Sequence, residues 1–134
     1  MSKVIRRTGQ RDVREFNSAG TIAAGDLVQF DEGGEVVVSA TNKDNVGIAL
    51  EDATSSTTVK VDVLHGGDEC EFVVESGTMA AAEIGNEADL NSADGVTLTE
   101  SNNDVLITGW DGVTTTKLYG VLKYLAFETG APKA

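Results

Sequence analysis

Two side chains in this 134-residue chain have the chemistry for covalent work: His65 and Cys70, each the single member of its type. A thiolate activated by an imidazole needs the pair in contact, an orienting third group and a site for the developing oxyanion. Gly66-Gly67-Asp68-Glu69 between them reads as a hairpin loop, which would make the two side chains neighbours. No Gly-rich elbow and no third partner accompany them, so the expectation is no catalysis: His65 a turn residue, Cys70 a small core hydrophobe. One Cys and one His also exclude an intrachain disulfide and a structural zinc site built from these residue types. Asp89-Leu90-Asn91-Ser92-Ala93-Asp94-Gly95, with Glu100, resembles a calcium loop at first glance. It departs in detail: Ala93 stands at a ligand position, Gly95 comes one place late, and strands rather than helices flank it. An ordinary Asn/Asp turn is expected. Gly33-Gly34 and Gly66-Gly67 lack the lysine and strand-to-helix setting of a phosphate loop. Trp110, beside Asp111-Gly112, is a protein-contact anchor, a sugar platform or a rim-of-core residue, the last being commonest. No cofactor and no metal are expected.

The elements that would position these residues are strands. Leu27–Phe30 and Glu35–Ser39 flank Gly33-Gly34 as a hairpin, and Asn45–Leu50 follows. From Thr57 to Leu64 the chain alternates, with Val59, Val61 and Val63 on one face and Lys60, Asp62 and Leu64 on the other. The loop at His65–Glu69 would then close a second hairpin into Cys70–Glu75. Thr78–Ile84 is the one helix-like stretch, two turns at most, stopped by Gly85. Glu87–Leu90, Val96–Thr99, Val105–Trp110 and Lys117–Phe127 read as further strands. The regular turn punctuation predicts an all-β fold, a compact β-sandwich or β-barrel-like domain with at most one short helix. A faint echo runs at an offset of 60: Gly25–Phe30, a Gly turn and Val36–Val38 against Gly85–Leu90, Gly95 and Val96–Leu98. It is either a duplicated β unit or the common look of Gly-bounded hairpins.

Charge divides the chain. The first sixteen residues hold five basic residues (Lys3, Arg6, Arg7, Arg11, Arg14) against two acidic ones; the other 118 hold five against twenty, for a net charge of −12. This predicts a basic N-terminal arm over residues 1–20, a β body over 21–127 and a frayed tail over 128–134. The acidic body repels phosphates, so no direct nucleic-acid partner is expected. Residues 1–16 lack the apolar h-region of a secretory signal, and no stretch approaches the apolar length of a spanning helix, so no membrane partner is expected either.

The run Ile22–Val28, then Gly33-Gly34-Glu35-Val36-Val37, then Val46–Ala53 and Thr58–Val61 resembles the small decoration, or cement, proteins of tailed-phage capsids. The resemblance covers about residues 21–64. It implies a β-rich (β-tulip-type) structural protein without catalysis, on the outer capsid surface of the virion of a tailed double-stranded-DNA virus. Its partners would be the major capsid protein and itself, as a homotrimer, and it would stabilise the head. Arg6, Arg7, Arg11, Val13, Arg14 and Phe16 of the arm are the expected contacts to the capsid or a neighbouring subunit, and residues 2–16 are expected to be removable without unfolding the body. The competing readings are another virion β-protein, such as a head spike or tail component, or a carbohydrate- or calcium-binding β-sandwich module.

Overall fold

Alternating β-branched residues and Gly/Asx turns along this chain produce eleven strands in the computed structural model, which describes residues 4–40, 44–93 and 95–127. They are β1 (Ile5–Arg6), β2 (Val13–Asn17), β3 (Leu27–Phe30), β4 (Val36–Val38), β5 (Asn45–Ala49), β6 (Thr58–Val63), β7 (Glu69–Ser76), β8 (Glu87–Leu90), β9 (Gly95–Thr97), β10 (Val105–Gly109) and β11 (Lys117–Leu122). A single 3-10 turn, Ala81–Glu83, stands where two helical turns were expected. The fold is all-β, as the turn spacing predicts. The expected tail at 128–134, the turn residues 41–43 and Asp94 lie outside the described residues.

The strands form two rings. In the first the order is β2-β6-β5-β3-β4, closed by a parallel bridge between Ser18, just beyond β2, and Val36 of β4. In the second the order is β7-β11-β10-β8-β9, closed by parallel pairing of β9 with β7. Each ring is thus a five-stranded barrel with one parallel seam. The registers coincide pair for pair. Phe30↔Val36 corresponds to Leu90↔Val96, Gly47↔Val63 to Val105↔Leu122, Phe16↔Val59 to Phe72↔Leu118, and Ser18↔Val36 to Val74↔Val96. Loops match as well. Gly25 and Gly85 both adopt a left-handed conformation (φ 91° and 95°) that favours glycine. The N–H of Gly25 donates to Ala49 O (2.8 Å), and that of Gly85 to Ile107 O (2.9 Å). The echo in the sequence is a duplicated barrel.

Each barrel has its own interior. Val28, Val36, Val46, Val59, Val61 and Val63 fill the first, with Phe16, Phe30 and Phe127 closing one mouth through edge and stacked ring contacts at 5.4–6.3 Å. Phe72, Leu90, Val96, Ile107 and Leu118 fill the second. That second cluster reaches across to Leu27, Ile48 and Leu64 of the first barrel and to Val4. The chain ends are exchanged: β1 pairs with β7 of the second barrel, while residues beyond β11 return to the first, with Leu125 bridging Asn45.

Two expectations change here. His65–Glu69 is not a hairpin: β6 pairs with β2 and β5, β7 with β1, β9 and β11, so the loop is the link between barrels. A Gly-Asp turn looks alike in either role, and only the distant partners decide. On the face of β6 shared by Lys60, Asp62 and Leu64, Lys60 is exposed while Asp62 (2%) and Leu64 (1%) are buried. Residues 4–20 lie within the β structure rather than outside it, since β2 is one of the five staves of the first barrel.

The first barrel tolerates no side chain at its β5–β6 contact. A Cβ on Gly47 would meet the Asp62 carbonyl oxygen at 2.1 Å. Gly47→Ala is expected to cost about 2 kcal/mol or more in urea unfolding, against nearly nothing for Gly20→Ala, where no atom lies within 4 Å. Equal stabilities would contradict the close approach.

Candidate functional site

The basic segment is the feature with functional promise, and the structure spreads its residues over several distinct tasks. Arg6 leaves β1 and enters the joint between barrels. Its Nε and Nη2 donate to both oxygens of Asp62 (2.9 and 2.8 Å), and Nη2 also donates to Val63 O at 3.1 Å. Nη1 pairs with Asp68 Oδ2 at 2.8 Å and donates to Thr8 O at 3.0 Å. Asp62 sits on β6 of the first barrel, Asp68 in the link, and β1 on the edge of the second barrel. One guanidinium therefore ties three segments by a two-pronged, charge-assisted contact. The hydrogen bond to Asp62 raises the Arg6 pKa further, against the opposing effect of burial.

Arg7 lies over the Tyr119 ring at 3.5 Å and pairs with Glu69, so it too faces the second barrel. Phe16 belongs to the aromatic mouth of the first barrel. Arg11 approaches Asp62 only at 3.8 Å and is 64% exposed. Arg14 holds Asp12 (3.0 and 3.3 Å), covers Phe127 at 4.7 Å and is 45% exposed. The hydrogen bond from Arg14, and then that from His65, draws the Asp12 carboxyl below its ordinary pKa. Val13 is 48% exposed on β2. The six residues thus divide: Arg6, Arg7 and Phe16 bind within the chain, while Val13 and Arg14 of β2, and Arg11 just before it, are largely exposed.

The residues considered for chemistry are not brought together. His65 Nε2 lies 2.7 Å from Asp12 Oδ2, whereas Cys70 points into the second core. Burial pushes its thiol pKa to about 12, so it is no nucleophile near neutral pH. Asp89, the leading carboxylate of the calcium-like loop, is occupied by the segment between β9 and β10. It accepts from Thr99 Oγ1 (2.5 Å) and from the N–H groups of Ser101, Asn102 and Asn103 (3.1, 2.7 and 2.8 Å). Among the described residues no cluster of His, Cys, Asp or Glu is arranged to hold a metal ion. Trp110 rests against the second core with its Nε1 donating to Thr114 O at 2.8 Å. Sequence reasoning missed Asp62 and Asp68. An acidic residue on the face of an alternating strand opposite its valines carries no local sign that a distant arginine covers it.

Two outcomes follow. Arg6→Ala strips the compensation from buried Asp62 and is expected to destabilise by about 3–5 kcal/mol, with most of the loss recovered when Asp62→Leu is added. A loss under about 1 kcal/mol in urea unfolding would reduce the contact to a surface ion pair. At Asp89, burial works to raise the carboxyl pKa, but the hydroxyl and backbone donors outweigh it and the net shift is downward. Its contribution is therefore complete above the unfolded carboxylate pKa and disappears as pH falls through the lower folded value, below about pH 4. Asp89→Asn is expected to be less stable by about 1–3 kcal/mol at pH 7, with the gap closing in acid. A gap independent of pH would contradict this.

Comparison with known proteins agrees with the geometry of the first barrel. No curated protein matches the chain. Residues 3–65 match the family of phage cement proteins. The match begins at the arm, takes in β1 and all five staves of the first barrel, and ends at His65, where the link to the second barrel starts. Over residues 3–65, just under half of its length, the chain is similar to the phage cement proteins.

Proposed function

We propose that the protein is a non-enzymatic decoration subunit that binds the outside of the assembled major-capsid-protein lattice of a tailed phage and stabilises the head. The observation that carries this reading is the family match, which coincides with one complete structural unit, the first barrel with its basic leading strand. The physical build supports it. Two closed rings leave few unpaired edges, which suits a protein packed at high density on a repeating surface. The −12 charge keeps that surface hydrated and disfavours nonspecific adsorption to nucleic acid. Arg11, Val13 and Arg14 are the most exposed of the basic segment's expected contacts on an otherwise acidic molecule. Many modest contacts of this kind gain strength from the symmetry of a lattice. Self-association as a homotrimer belongs to the same proposal, and light scattering on the purified protein should then return three times the 14.0 kDa chain mass.

The test is direct. Undecorated, expanded heads assembled from the major capsid protein of the same virus are mixed with the purified chain, pelleted and heated. Saturable co-pelleting and a higher temperature of head disruption are expected. A protein that stays in the supernatant at tens of micromolar would overturn the reading.

A further inference from the structure

One barrel covers a strand edge that the other leaves open. In the second barrel the first half of β7 pairs antiparallel with β1, Ile5 opposite Glu71, and the Arg7 N–H donates to Glu69 O at 2.7 Å. In the first barrel β2 takes the place of β7, and ring closure uses only its end, through Ser18. The positions matching Glu69, Cys70 and Glu71 are Val13, Arg14 and Glu15, and among the described residues no strand lies along them. Val63 N–H donates to Asp12 O (2.8 Å) and Ser18 N–H to Thr57 O (2.7 Å), so even-numbered residues of β2 bond to β6. By the alternation of an antiparallel ladder, the N–H and C=O groups of Val13 and Glu15 face outward.

The charges along this edge are complementary to themselves. Residues 11–15 read Arg-Asp-Val-Arg-Glu, and in the opposite direction Glu-Arg-Val-Asp-Arg. Laid antiparallel on a second copy about Val13, the segment sets Arg11 against Glu15 and Asp12 against Arg14 on both sides of the axis. Val13 then meets Val13. The main chain agrees with this register, because odd residues oppose odd ones and outward groups meet outward groups. Neighbouring registers fail. An axis on Arg11, Asp12, Arg14 or Glu15 opposes that residue to itself, and like charges directly opposed destabilise a strand pair. An axis on Phe16 needs Ser18, which ring closure already uses. Arg14 keeps its place over Phe127. Its Nε and Nη2 donate to Asp12 of its own chain, and the remaining N–H groups of the guanidinium can meet a second carboxylate. Asp12 and Arg14 share one face of β2, so the four groups of two copies alternate in sign around the axis.

We infer that β2 is a twofold self-pairing edge, to which a second copy of this chain adds its own β2 antiparallel with Val13 on the axis. Main-chain bonds supply the attraction and the charge pattern supplies the register. The first barrels of two copies then share one continuous sheet. The joined stretch is short and buries less than a stable dimer needs, so the pairing is weak in dilute solution. It strengthens where copies are held side by side, as on a repeating surface. It is separate from the threefold association proposed above: paired single chains give a dimer, and paired trimers a particle of twice their mass. The inference stands on the sequence and geometry of β2 and does not need the capsid-binding reading.

Reciprocal charge swaps on the full chain, read by sedimentation equilibrium up to millimolar concentration, test it. Arg11→Glu sets a carboxylate against Glu15 of the second copy, and Glu15→Arg sets a guanidinium against Arg11. Both positions are exposed, and thermal melting checks that each variant is folded. The unaltered chain is expected to associate in even multiples of its 14.0 kDa mass. Each variant alone is expected to associate at least about tenfold more weakly. An equimolar mixture of the two variants restores opposite charges on both sides of the axis and is expected to recover the association. Absence of even-numbered association by the unaltered chain would overturn the inference. Variants that associate as well as the unaltered chain, or a mixture no stronger than its components, would overturn it too. Hydrogen exchange on the unaltered chain gives a second reading. Exchange at Val13 and Glu15 is expected to slow by roughly tenfold or more as concentration rises, with Arg14 and Phe16, already bonded to β6, changing little. Slow exchange at Val13 and Glu15 already in the dilute monomer would mean that this chain fills its own edge, and would sink the inference while leaving head binding to its own assay.

Discussion

The arrangement of this molecule depends on one buried ion pair. Arg6 and Asp62 are both nearly closed to solvent, and neither would be tolerable there alone. Asp62 is a buried charge on the face of β6 opposite Val59, Val61 and Val63, and Arg6 projects from a strand only two residues long. Their pairing requires β1 to lie along β7 while its side chain reaches β6. Once that is satisfied, Val4 is delivered to the second core and the link at Asp68 is held by the same guanidinium. Apolar burial contributes more free energy, but it is indifferent to register. The two-pronged contact is what fixes how one barrel sits against the other.

Duplication explains why so short a chain forms two closed rings. Each unit repeats the same strand order, the same parallel seam and the same glycine-led entry to its second stave. The interiors nevertheless diverge. The first is a nest of valines stoppered by three phenylalanines, and the second is built of larger residues such as Leu90, Ile107 and Leu118. The outer edges diverge too: β7 is covered by β1, and β2 is bare among the described residues. A repeated scaffold has thus kept its backbone pairing while its two copies took different surfaces, which accounts for a family resemblance confined to the first.

Much of this was legible in the sequence, for identifiable reasons. Val59, Val61 and Val63 alternate cleanly and all three are buried. The strands from Leu27 to Leu90 fall close to where β-branched runs and Gly/Asx turns put them. The 60-residue echo was visible because Gly25 and Gly85 are both required by the same left-handed turn. What was not legible depended on partners far away in sequence. The loop at His65–Glu69 has the residues of a hairpin and serves as a link. The basic segment looked like an arm because its charge contrasts with the body, yet Arg6 and Arg7 answer carboxylates of that same body. Removing residues 2–16 would therefore take a stave out of the first barrel rather than trim a tail.

The central claim is that β1, through Arg6, makes two duplicated barrels behave as one body. Calorimetry on the chain with and without residues 2–9 tests this most directly, since β2 and both rings remain. The account predicts one cooperative transition for the full chain and two separated transitions, the first at lower temperature, for the shortened one. A single transition at the original temperature after truncation would show that the barrels are joined by their apolar contact alone, and would contradict it.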